Sequence, residues 1–141
     1  MKPIQDQVSP NLIDATASTK RFATLHRALR STGLTKLLRG KGPFTLFAPT
    51  DKAFAKLPDA EREKLFTDQV ALSRLLRYHV VRERVKPPRT DAPRIATTLD
   101  GQTVELTKAD GQYHINRARI LKSGFVSNGV IHAISAVLVP R

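Results

Sequence analysis

The sequence predicts an α+β domain in which N-terminal helices pack on an antiparallel β-sheet or small sandwich, and three observations carry that prediction. Apolar residues recur at helical spacing as far as residue 79. After residue 94 the period shortens to two, and Asp100-Gly101, Asp110-Gly111 and Asn128-Gly129 punctuate the runs as hairpin turns do. Between the helices, residues 42–54 (GPFTLFAPTDKAF) specify a strand, a turn and a new helix in close succession. Helices first and a β meander afterwards is the order of an α+β domain.

Taken in order, Ser9-Pro10 reads as an N-cap with proline at the first helical position, opening a short helix through Leu12, Ile13 and Ala17. From Thr19 a second helix places Phe22, Leu25 and Leu29 inward and Lys20, Arg27 and Arg30 outward, and Gly33-Leu34 stops it. Leu37 and Leu38 mark a further turn, and Gly40 and Gly42 release the chain into the buried strand Phe44-Thr45-Leu46-Phe47. Pro49 ends that strand, and Thr50 or Asp51 caps the helix of Ala53 and Phe54. Pro58-Asp59 restarts the helix, with Glu61 and Glu63 where the dipole favours negative charge and Leu65 and Phe66 inward. Asp68 caps a longer helix in which Leu72, Leu75, Leu76 and His79 share one face, with Tyr78 beside it. Val80-Val81 is extended, and residues 82–94, with three prolines and five basic residues, read as an exposed connection. Strands are expected at 95–99, 103–107, 113–115, 119–121 and 130–138.

The 141 residues suit one domain, read as a tail over 1–10 and a domain over 11–141. The absence of cysteine excludes a disulfide framework and a thiolate metal site. Nowhere do eighteen apolar residues run together, so no membrane insertion is expected, and the first ten residues lack the apolar run of a secretory signal. No nucleophile elbow, phosphate loop or facing acid pair is present. His26, His79, His114 and His132 do not fall at ligand spacing. No catalytic, cofactor-binding or metal-binding residue is therefore assigned.

The charge is the informative quantity. Twenty-four basic against 12 acidic side chains leave a net +12, which favours anionic partners through long-range attraction. The excess is localised: residues 20–41 hold seven basic residues and no acid, residues 74–94 hold seven against two, and Arg117, Arg119 and Lys122 form a third group. Arg27, Arg30, Arg82, Arg84 and Lys86 are the candidate contacts for an anionic polysaccharide or envelope. With two tyrosines, no tryptophan and no recognition motif, nucleic acid would be bound only non-specifically. His79, on a leucine face, is read as a core histidine with Thr50 or Asp51 as its partner, which would lock two elements together. Tyr78 suits either a core edge or a contact patch. His132 lies on a strand with two apolar faces and is read as structural.

Three segments, TLFAPTDKAF at 45–54, LRYHVV at 76–81 and SNGVIHAISAVLVP at 127–140, resemble in sequence and order the motifs of the fasciclin domain. The resemblance spans residues 13–140 and implies a fasciclin-type fold of the bacterial single-domain kind. It also implies a non-enzymatic adhesion module acting in the periplasm, outside the cell or on its surface, with a cell-surface or matrix protein as an alternative partner. Tyr78 and His79 match a Tyr-His pair implicated in adhesion in some animal members. Thr50, Asp51, Asn128, Gly129 and His132 match motif positions read as structural. Where the animal integrin-recognition element has Asp-Ile, Ser123-Gly124 stands here. The alternative reading is an intracellular small-ligand or nucleic-acid-binding protein whose charge serves recognition.

Overall fold

The structure is a computed structural model and describes residues 11–86 and 92–139. The expected tail at 1–10 and the Ser9-Pro10 cap lie outside the described residues. Helix α1 (Leu12–Ser18) is capped by Asn11, whose side chain accepts from the Asp14 amide. A 3-10 turn at Lys20–Phe22 leads into α2 (Ala23–Ser31). Gly33, at φ 78°, makes the left-handed step into α3 (Leu34–Leu38), the conformation that favours glycine at a helix end. Strand β1 (Phe44–Pro49) follows, then α4 (Asp51–Ala55) capped by Thr50, α5 (Asp59–Thr67), and α6 (Gln69–Arg77) capped by Asp68.

The remaining strands are β2 (Val80–Val81), β3 (Arg94–Thr97), β4 (Thr103–Ala109), β5 (Gln112–Ile115), β6 (Ala118–Val126) and β7 (Gly129–Ile134). They form one seven-stranded sheet in the order β2-β1-β7-β6-β5-β4-β3. The α+β class holds, and the sheet is mixed: β1 and β7 run parallel, with Phe44 opposite Gly129 and Pro49 opposite Ile134. Both strands are buried along their whole length, as a parallel pair covered on two faces must be. On one face Leu46, Ile131 and Ala133 pack with Leu25, Leu29, Phe54 and Leu72 of the helices. On the other, Phe47 and Ile134 share a cluster with Val104, Leu106 and Ile115 of β4 and β5. Strands far apart in the sheet order can share a cluster only if the sheet curls. Its two edges do meet, through a bridge between Val81 and Thr98 and a bond from the Leu99 amide to the Val80 carbonyl. Closing the edges removes the unpaired groups that promote aggregation.

Two strands differ from expectation. β6 runs to Val126 because a bulge between Ile120 and Lys122 breaks the alternation, and Lys122, Ser123 and Gly124 carry no apolar signal. β7 stops at Ile134, after which the Ser135 side chain accepts from the Arg119 amide and the Leu138 amide turns inward.

Candidate functional site

Because β1 and β7 are parallel, both begin at the same end of the sheet, and antiparallel β2 ends there, with Val81 opposite Thr45. The segments at 39–43, 82–86 and 127–128 therefore converge on one corner. The approach is close. The Phe44 amide donates to the Asn128 carbonyl at 2.9 Å, and a Cβ on Gly42, whose φ is 67°, would lie 2.5 Å from that same oxygen. The Asn128 side chain accepts from the Leu12 amide at 3.0 Å and donates to the Leu38 and Gly40 carbonyls at 2.7 and 2.8 Å. One amide group thus ties α1, the end of α3 and the β1 approach to the sheet.

Of the exposed connection expected over 82–94, residues 87–91 lie outside the described residues, and 82–86 are exposed at every position but Val85, which fastens the segment to the sheet. Val85 is fully buried, its amide donates to Thr45 Oγ1 at 2.7 Å, and its carbonyl receives His132 Nε2–H at 2.7 Å. The Thr45 hydroxyl donates to the Glu83 carbonyl. What stays outside is charge: Arg82, Arg84 and Lys86 are exposed. The Arg82 guanidinium lies 6.0 Å from the Phe44 ring centroid, a cation–π distance. Arg84 donates to the Gly129 carbonyl at 3.1 Å, which holds the turn between β6 and β7. Exposed Arg39 and Lys41 approach on the neighbouring loop. Glu83, the acid of this segment, is paired with Arg94 at 3.0 Å. The fold thus brings residues of the first two basic groups together at one corner. It does not bring Arg27 there, since Arg27 lines a groove with Asp51, Asp59 and Glu63, and Arg30 is exposed on α2.

Tyr78 and His79 are both buried, His79 completely, while Tyr78 reaches the lining of a groove shared with Thr103 and Asn116. The Tyr78 hydroxyl donates to the Thr103 carbonyl at 3.0 Å and accepts from Asn116 Nδ2 at 3.1 Å, so it is not the wet hydroxyl a contact patch requires. Asn116 was not anticipated; the signal available was an Asn-Arg turn, in which asparagine accepts the positive φ of 52° seen here. The expected pairing of His79 with Thr50 or Asp51 is also absent. Asp51 accepts from the Thr24 amide at 2.8 Å, and Thr50 caps α4. The His79 ring turns instead toward the C-terminal segment: Nδ1–H donates to the Leu75 carbonyl at 2.7 Å and Nε2 accepts from the Leu138 amide at 2.9 Å. It is the His79 backbone that binds β1, its carbonyl accepting from the Phe47 amide at 2.8 Å. His132 stacks on Phe47 and accepts the Ser123 hydroxyl at Nδ1, 2.6 Å away.

Protonating His79 would set an Nε2–H against the Leu138 N–H. Burial lowers its pKa from 6.5 to about 4, against the opposing pull of the Leu75 carbonyl. Burial also lowers the pKa of His132, again against its carbonyl partner, Val85. Above pH 6.5 His79 is neutral folded and unfolded; as the pH falls from there toward 4, the unfolded chain takes up a proton that the folded chain refuses. Stability is therefore expected to drop by about 2–3 kcal/mol between about pH 7 and 4.5 on account of His79, with His132 adding in the same direction. Urea denaturation at the two pH values measures this, and a midpoint that does not move contradicts it.

Among the described residues, no group of three or more His, Asp or Glu is placed to hold a metal ion, and no helix is long and apolar enough to cross a membrane.

Comparison with known proteins places these features in context. The family model described as the Fasciclin domain matches residues 20–140. An uncharacterised Synechocystis protein, sll1735, is 35% identical over 132 residues, covering 92% of this chain and 98% of the relative. The cell surface glycolipoprotein MPB83 of Mycobacterium bovis is 36% identical over 100 residues, 70% of this chain and 44% of that protein. In three dimensions the chain is similar to a FAS1 domain pair from the insect cell adhesion molecule fasciclin I, with a TM-score of 0.79 at 17% identity, over 94% of this chain and 52% of that one.

Proposed function

This chain belongs to the fasciclin domain family, and we propose that it is a non-enzymatic adhesion or interaction module that works at or outside the cell surface and holds an anionic partner against the corner where β1 and β7 begin. The observation that carries this reading is the joining of Arg39, Lys41, Arg82 and Lys86, distant in sequence, around a rigidly bonded sheet end whose acid, Glu83, is already neutralised by Arg94. Relatives and structural neighbours named as cell surface and cell adhesion proteins support the setting. The partner class that fits best is a sulfated or carboxylated polysaccharide. A repeating anion can engage several spaced cations at once, and each contact displaces counterions.

The test is retention on heparin across a salt series. Affinity should fall steeply as salt rises from about 50 to 300 mM, because exposed charges are screened within about 10 Å at 0.1 M. Retention that does not weaken with salt contradicts the electrostatic reading.

A further inference from the structure

A second feature lies away from that corner. Between the 3-10 turn and β6 a slot of about 260 Å³ opens over an apolar floor of Phe22, Val126, Ile131 and Ala133. Gly124 lines it, and a Cβ placed there would meet nothing within 4 Å, so no other part of the protein packs against β6 at that point. Arg21 and Lys122 stand on the lining, no acid does, and neither cation is in an ion pair among the described residues. Arg21 also lines an adjoining groove of about 580 Å³ with Lys20, Lys52 and the exposed Leu121, where Asp51 is the acid. Two exposed cations on the lining of one apolar slot, with no acid among its lining residues, favour an anion there. An apolar floor with convergent cations at its edge is the lining of a site for a chain with a charged head.

We propose that this slot binds a single-chain amphiphilic anion, its acyl chain on Phe22, Ile131 and Ala133 and its carboxylate or phosphate between Arg21 and Lys122. The aliphatic floor takes up methylenes, and the cations select the head.

Calorimetric titration of the full chain with hexanoate, octanoate, decanoate, decyl phosphate and decanol tests this. Each added methylene should tighten binding severalfold, and decanol should bind at least tenfold less well than decanoate. A preference between decanoate and decyl phosphate distinguishes a free fatty acid from a phospholipid-type head. Lys122→Glu should weaken decanoate at least tenfold. Gly124→Leu, whose Cβ would meet nothing within 4 Å and whose isobutyl group would compete for the slot, should abolish binding while leaving the denaturation midpoint in place. No chain-length dependence, decanol binding as well as decanoate, or Gly124→Leu binding like the parent protein would each overturn the proposal.

Discussion

Gly129→Ala is expected to remove about 4 kcal/mol or more of stability and to move the urea midpoint far below that of the parent protein. A Cβ at residue 129 would lie 1.9 Å from the Phe44 carbonyl oxygen, 2.8 Å from its carbon and 3.1 Å from the Phe44 nitrogen. All three are backbone atoms of the directly opposed residue in the parallel pair. No side-chain rotation relieves such contacts, so β1 and β7 must separate, and both are buried along their length. Typical domains have only about 5–15 kcal/mol to lose. The control is Gly124→Ala on the next strand, where the added methyl meets nothing within 4 Å and the change should stay within about 1 kcal/mol. A Gly129→Ala protein with the parent midpoint would show that the two strands are not held as described.

Asn128→Ala should cost about 3–5 kcal/mol. The substitution strands a buried Leu12 amide and the Leu38 carbonyl, and it frees the part-buried Gly40 carbonyl. A buried group left without a partner costs about 1–3 kcal/mol. Asn128→Asp should not rescue the loss: it keeps an acceptor for Leu12 but turns a carboxylate toward two carbonyl oxygens. Denaturation midpoints measure the cost, and hydrogen exchange at the Leu12 amide reports whether α1 loosens first. A loss below about 1 kcal/mol would mean that water replaces the side chain without penalty.

These two residues also show where the sequence was readable. Asn128-Gly129 reads as a hairpin turn; the turn is there, but Ser127-Asn128 make it, and Gly129 already opens β7 opposite Val126. Its sequence neighbours could not reveal that Gly129 is required by the backbone of Phe44, or that Asn128 spends its amide on α1 and α3. Those partners lie 85 to 116 residues away along the chain. Caps carry local signals, and Thr50, Gly33 and Asp68 sit where their chemistry predicts. The parallel pairing of β1 with β7 has no local signal beyond two apolar faces, which a covered antiparallel strand shares.

The site follows the same division. The basic residues and their grouping are legible in the sequence, and their convergence is not, because it follows from that parallel pair. The segment 82–86 reads as loop because its composition is polar, yet one buried valine and two backbone bonds fasten it to Thr45 and His132. Tyr78 and His79 stand out as chemistry-bearing side chains. Each has both hydrogen-bonding roles filled inside the protein, which leaves them to hold the frame while the cations face outward.

The most direct measurement is heparin affinity of a Lys41→Glu, Arg82→Glu, Lys86→Glu protein alongside its denaturation midpoint. Arg84 is left in place because it holds the Gly129 carbonyl. The expected outcome is at least a tenfold loss of affinity, a shallower dependence of affinity on salt, and a midpoint close to that of the parent protein. Unchanged affinity in a folded triple variant would contradict the assignment of this corner as the contact surface.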